Sequence, residues 1–421
     1  MTLTENLIKA LDTSLTAFHA VAHAKELLLS RGYTELAEGE VWNIARGGKY
    51  FTVRDGSALL AFSVGEEKGG FRIVASHADS PALKVKGNPV SYVGGCAKLN
   101  VEVYGGPLLY SWLDTPLRLA GRAVYYNRDT RTATVHLVTD PHTYVIPSQA
   151  IHMNREANSG LSLNAQTDMQ PIVSLSREFT IDAVLAGEGE LLSYDLFLAN
   201  GTKPYTAGAE DELLVASRID NLTSVFGSIE ALEGAGKYGV SVAYIADSEE
   251  VGSRTRTGAG SDLLKTSLAR ISAALGEDLT AALASSLLVS CDNAHATHPN
   301  HPEKSDPTNP VKLGGGVVVK HHANGNYTTT ALTDAAFRAI LADAGVKLQD
   351  FYMRSDMPCG GTLGAISLGQ VGVRSVDIGI AQLAMHSATE TMALSDYPEL
   401  VKALSAFYGA NLKFEGDTFS V

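Results

Sequence analysis

Five apolar runs along the chain each give way abruptly to a histidine or a carboxylate. FRIVAS ends at His77-Ala78-Asp79, VSVAYIA at Asp247-Ser248-Glu249-Glu250, and SLLVS at Cys291-Asp292-Asn293-Ala294-His295. KLQDFYM leads into Arg354-Ser355-Asp356, and VDIGIA into Gln382-Leu383-Ala384-Met385-His386. Short continuous apolar runs of this kind read as buried strands. Helical patterns separate them: SVFGSIEALEG, SDLLKTSLARISAAL and TDAAFRAILADAG. Alternating strands and helices predict an α/β fold, with a mixed, mostly parallel sheet and helices on both faces. In such sheets the functional crevice lies beyond the carboxyl ends of the strands. One polar residue at a strand end is ordinary surface decoration; five coincidences point to one shared crevice.

The texture changes near Asn88-Pro89. Alternating β-like pieces follow, LRLAGRAVYY, TATVHLV and LSYDLFLA, separated by turn residues such as Asn127-Arg128-Asp129. This region ends near Gly201-Thr202-Lys203-Pro204. The expected organisation is a discontinuous α/β domain, residues 1–87 and 205–421, carrying an inserted β-rich domain at 88–204. The 421 residues are 45% hydrophobic and 19% charged, enough apolar material for a large core. A formal net charge of −13 argues against a nucleic-acid partner. No apolar run is long enough to predict a membrane span. The start, MTLTENLIKALDTSL, reads as an amphipathic helix rather than a signal peptide. Three scattered cysteines, Cys96, Cys291 and Cys359, do not make a disulfide framework and fit a reducing, cytoplasmic setting.

The residue types at the strand ends are His, Asp and Glu, which suit zinc, manganese or cobalt. The chain has no G-x-x-x-x-G-K-[ST] phosphate loop, and Gly314-Gly315-Gly316 precedes a strand rather than opening a helix. It has no G-x-S-x-G nucleophile elbow. His295, His298 and His301 are spaced as H-x-x-H-x-x-H, but neighbouring prolines deny them a regular helix. His295 and His298 are therefore expected to line the crevice or to satisfy buried hydrogen bonds, with His298 a substrate-binding candidate. Asp247 and Asp292 read as supporting groups or strand-end caps, His321-His322 as strand polarity, and the cysteines as small core residues.

Taken together, SHADSPALKVK, GGPLLYSWLDTPLRLAGR, IPSQAIHMNREAN, SRIDNLTS, DSEEVGS, DNAHATHPNH, SDMPCGGT and MHSATE resemble the M18 family of metalloaminopeptidases, the aspartyl aminopeptidase family, in that order along the chain. The resemblance implies a two-zinc peptidase, with cobalt or manganese as substitutes, that removes the N-terminal residue from peptides. It implies metal ligands His77, Asp220, Glu250, Asp356 and His386. Asp220 would bridge the two ions, His77 and Asp356 completing one site, Glu250 and His386 the other. Glu249 would be the general acid/base on a water between the ions, and Asp79 would orient the site from behind. Lys320 matches a family lysine and is the candidate for reading an acidic first side chain. His152 would enter a neighbouring subunit's site, the insertion making dimers and the dimers a dodecamer. The chain departs from the family pattern at Ala78, at Asn326 and in SRTRTGAGSDLL. Two other readings stay open: another two-zinc hydrolase, such as a carboxypeptidase or deacylase, or a catalytically silent scaffold on a peptidase fold.

Overall fold

The computed structural model describes residues 2–185 and 187–421. Four strands form the parallel heart of the main sheet, in the order Tyr238–Ala246, Glu67–His77, Leu287–Cys291 and Arg374–Leu383. Antiparallel strands extend it on either side: Ala58–Val64 beside Tyr238–Ala246, and Val317–His321 and Glu390–Ala393 beside Arg374–Leu383. The predicted mixed α/β architecture is what the structure contains.

Period-two alternation between two covered faces explains why these strands are mostly apolar, with a few buried polar residues such as Arg72, Ser241 and Asp377. Along Tyr238–Ala246, Val240, Val242 and Tyr244 pack into one core, and Ala243 and Ile245 into another on the opposite face. One core is covered by the helices Ile219–Ala231 and Asp396–Gly409, through Leu222, Phe226, Leu400 and Phe407; the other by Leu263–Leu275, through Leu264, Leu268 and Ile271. A strand covered on both faces has no solvent side for polar residues, so most of its polarity lies at its ends.

Six further strands make a separate antiparallel sheet with its own core, including Leu83, Leu99, Trp112, Leu119 and Leu198. Its strand Ala82–Val93 starts a few residues before 88 and leaves the main sheet almost directly after His77. The strand Glu190–Asn200 closes it, and Tyr205–Ala207 already belongs to the main sheet. Among the described residues, no helix is long and apolar enough to cross a membrane.

Candidate metal centre

Strand register assembles the centre. His77 ends one central strand and pairs with Ala246, the last residue of the next. The chain then turns: Ser248 takes a left-handed conformation (φ 60°), Glu249–Val251 form a short 3₁₀ turn, and Gly252 (φ 93°) closes it. On the other flank Ser290 pairs with Ala75, so Asp292, two residues on, comes level with His77. Gly379 permits this packing, since a Cβ there would lie 2.0 Å from the Asp292 carbonyl oxygen. Asp220 stands at the start of the helix Ile219–Ala231, held outside helical geometry at ψ 112°. His386 lies in the turn after Arg374–Leu383, left-handed at φ 65°.

These residues form two groups that share Asp220. In one, His77 Nε2 lies 3.6 Å from Asp220 Oδ1 and 3.6 Å from Asp292 Oδ1. In the other, His386 Nε2 lies 3.6 Å from Asp220 Oδ2 and 3.3 Å from Glu250 Oε2. Donor atoms on neighbouring corners of a tetrahedral ion with bonds of about 2.0–2.2 Å lie roughly 3.3–3.6 Å apart, so the spacing suits such an ion. Asp220 Oδ1 and Glu250 Oε1 are buried without a hydrogen-bond partner. Buried carboxylate oxygens left this way call for a cation. The chemistry of the donors, imidazole and carboxylate, fits zinc.

Both imidazoles are turned with one nitrogen toward the centre. His77 Nδ1 faces the Asp79 carbonyl at 3.0 Å, and His386 Nδ1 faces the Gly106 carbonyl at 3.1 Å. Each Nδ1 donates its proton there, which leaves Nε2 for the centre. The Asp79 carboxylate does something else. Its Oδ1 accepts the Glu249 amide at 3.0 Å; its Oδ2 accepts the Glu250 amide at 3.1 Å and the Tyr104 hydroxyl at 2.8 Å. Asp79 therefore fixes the turn that carries the paired glutamates.

The electrostatics are those of acids crowded out of water. Burial and the surrounding carboxylates, Asp292, Asp79 and Asp220 outweighing His77, push Glu249 up to about 7. Burial and Asp220 push Glu250 well above the usual carboxylate range. Burial opposes the charging of His77, yet Asp220, Asp292 and Asp79 raise it well above an ordinary imidazole. His386 is raised to about 10, Asp220 and Glu250 overcoming burial. Without a cation the carboxylates hold protons on both imidazoles; a cation takes the protons' place.

The other expected site residues are distributed differently. Asp356 joins neither group, which corrects its assignment as a ligand. Its side chain is 65% exposed and pairs with Arg354 at 2.6 Å. The reason is topological: Leu348–Tyr352 pairs only with Val317–His321 at the sheet's margin, whereas Leu287–Cys291 lies in its centre beside the His77 strand. Asp292 stands where Asp356 was expected, and the signal was available, since it is the carboxylate that ends a central strand. Lys320 is buried at 1% exposure beside the centre, its Nζ donating to the Asn293 carbonyl at 3.3 Å and lying 5.0 Å from the Tyr327 ring centroid. His298 is exposed and accepts the Asn300 amide at 3.2 Å within its own turn. His152 lies in an exposed turn of the inserted region. His295 sits against Phe351, with ring centroids 6.2 Å apart. A cavity of about 370 Å³ lies behind Asp79, between the two sheets, lined by Tyr104, Arg122, Asp195 and Asp247 among others.

A doubly covered α/β sheet whose central strand ends converge His and carboxylate donors defines a metal-dependent hydrolase. Comparison with known proteins makes this specific. The family model described as aminopeptidase I zinc metalloprotease (M18) matches residues 10–408. A probable M18 family aminopeptidase 2 of Clostridium novyi is 38% identical, the alignment covering 96% of this chain and 97% of that one. A cryo-EM structure of the Ape4 and Nbr1 complex matches with a TM-score of 0.92 at 31% identity, over 97% of this chain and 85% of that chain. The mApe1 dodecamer of S. cerevisiae matches with a TM-score of 0.85 at 26% identity, over 96% of each chain. The chain belongs to the M18 family of zinc metalloproteases and is a metalloaminopeptidase.

Proposed function

We propose that the chain is a dinuclear-zinc aminopeptidase in which Asp220 bridges the two ions. The observation that carries this reading is the orientation of Asp220, with Oδ1 toward His77 and Oδ2 toward His386. His77, Asp220 and Asp292 would hold one ion; Asp220, Glu250 and His386 the other. When bound, the pair supplies a Lewis acid for the scissile carbonyl and a water made acidic enough to attack. Glu249 removes the proton from that water and returns it to the leaving amine. Asp79 holds Glu249 and Glu250 in their separate directions through the two backbone amides.

The finer parts of the proposal concern the substrate and the assembly. Lys320 is a buried ammonium with no carboxylate within salt-bridge distance among the described residues, bonded to a carbonyl and an aromatic face. A buried cation of this kind favours an acidic first side chain on the peptide. The exposed turn carrying His152 suits a residue that acts on a neighbouring copy. The relative with a dodecameric structure supports a homo-oligomer, in which the inserted sheet would make the dimers. Three free cysteines accord with a cytoplasmic setting.

A panel of peptides with free and acetylated N-termini, assayed with and without chelator and with zinc content measured, tests the reading. Cleavage only of free N-termini, lost on chelation and restored by two equivalents of zinc, is expected. Cleavage of acetylated peptides at equal rate points to a carboxypeptidase or deacylase, and no cleavage to a silent scaffold. For His152, mixing inactive Glu249→Gln and inactive His152→Ala proteins under subunit exchange is expected to restore partial activity. No recovery refutes the cross-subunit role.

A further inference from the structure

Glu390 is 2% exposed and lies at the start of the strand Glu390–Ala393, paired with Ala216. Its carboxylate reaches two separate pieces of chain. Oε2 accepts the backbone amide of Asp220 at 3.0 Å, and Oε1 accepts the backbone amide of His386 at 2.9 Å. Both stretches are irregular. Asp220 follows a left-handed Arg218 (φ 61°) and is itself non-helical; His386 follows a left-handed Ala384 (φ 57°) and is left-handed too. Amides in such backbone find no partner in a helix or ladder, and a buried unpaired amide is costly. One carboxylate satisfies both and so ties the start of a helix to a turn on the far side of the sheet.

We propose that Glu390 is a positioning residue: a buried strut that sets the separation of Asp220 and His386 before any ion arrives. The proposal rests on the two-zinc reading above. The side chain touches neither the reacting atoms nor the ligating ones; it acts through the backbone of both ligands. Among the described residues no cation lies within salt-bridge distance of it. Arg218, whose charge the Glu390 carboxylate supports, spends its guanidinium on the Leu11 and Asn200 carbonyls. The carboxylate thus has the amides as its partners, and both of its oxygens are committed.

A glutamine at 390 keeps the volume and one acceptor oxygen, but turns an NH₂ toward the other amide. Supporting contacts of this kind are typically worth 10–100-fold in metal affinity. Zinc affinity by chelator competition, cobalt absorption spectra, thermal unfolding of the metal-free protein and steady-state kinetics are to be compared for wild type, Glu390→Gln and Glu390→Asp. The expected result is zinc binding weakened by about 10–100-fold in both variants, with an altered cobalt spectrum. At saturating zinc, kcat falls while KM stays within about twofold, because the peptide itself never meets Glu390. The metal-free Glu390→Gln protein remains folded. Wild-type zinc affinity and kcat in Glu390→Gln overturn the proposal, as does a drop in metal-free Tm with zinc affinity unchanged, which marks a merely structural group. Failure of the wild type to take up two zinc ions overturns the two-zinc reading itself and is visible in the wild-type arm alone.

Discussion

Asparagine at position 79 changes one atom and removes one charge, and its consequences follow from three distances. Asp79 Oδ1 accepts the Glu249 amide at 3.0 Å, while Oδ2 accepts the Glu250 amide at 3.1 Å and the Tyr104 hydroxyl at 2.8 Å. Asparagine keeps one oxygen, and its NH₂ offers only donors to whichever amide it faces. The smaller loss leaves the oxygen with Glu250 and Tyr104 and turns the NH₂ on Glu249. A hydrogen bond to a charged group contributes about 1.5–3 kcal/mol. Expressed in the transition state, that is roughly 10- to 150-fold in rate. The turn can relax by tilting Glu249, so the expected fall in kcat/KM of Asp79→Asn is about 10–100-fold. Zinc content should stay near wild type, because the His77 imidazole leans on the Asp79 carbonyl, which the substitution leaves in place. Tyr104→Phe removes one bond to the same carboxylate and should cost less. The assay is steady-state kinetics on a free-N-terminus peptide with zinc measured on the same samples. A kcat/KM within threefold of wild type at full zinc occupancy refutes the reasoning.

Four other outcomes are expected. Glu249→Gln keeps its fold and zinc but loses about 10²–10⁴ in kcat, and near-normal turnover would remove Glu249 from the proton transfer. Asp292→Asn loses zinc affinity and activity while Asp356→Asn keeps both; the opposite pattern, by zinc titration, would restore the ligand role to Asp356. Lys320→Met lowers kcat/KM for N-terminal Asp or Glu peptides more than for leucine peptides, and equal losses would end its specificity role. His19 is held near 4 by burial and by Arg218. Its ring bonds Thr16 at 2.8 Å and Thr139 at 2.9 Å. Between pH 6.5 and 4 the unfolded chain binds a proton that the folded chain does not. Stability therefore falls with acid across that window, by up to about 1.4 kcal/mol per pH unit. Denaturant midpoints of wild type and His19→Gln should diverge in slope there, and parallel slopes would refute it.

How much was legible in the sequence depended on whether the signal was local. The buried strands announced themselves by composition, and their polar ends marked the crevice. His77, Asp220, Glu250 and His386 were readable because the chain carries them in recognisable local motifs, and the structure gathers all four. The exchange of Asp292 for Asp356 shows where local reading stops. Both are carboxylates one or more residues past an apolar run; only strand order distinguishes a central strand from a marginal one, and strand order is not a local property. Asp79 was recognised as a supporting group, but which of its atoms supports what required the turn after Ala246. Lys320 was readable as a substrate contact, but its burial against Tyr327 and the Asn293 carbonyl was not. Glu390 closes the MHSATE stretch, but its role was not legible there, since its partners are backbone amides, which every residue owns.

The inserted sheet is part of the same argument. It leaves the main sheet at Ala82, directly after the residues that hold His77, and it returns at Asn200, ahead of Asp220. On the way its Gly106 carbonyl receives Nδ1 of His386, and its Leu108 amide donates to the His386 carbonyl at 2.9 Å. Ser111 accepts the Ala388 amide at 2.8 Å, and Asn200 donates to the Ala388 carbonyl at 2.5 Å. The turn that carries His386 is therefore gripped from the insertion on one side and by Glu390 on the other. A left-handed, solvent-facing turn has little of its own to keep a ligand in one orientation. Here much of the orientation comes from chain that lies 188 to 280 residues away in sequence. The inserted sheet thus helps to hold the turn that carries His386.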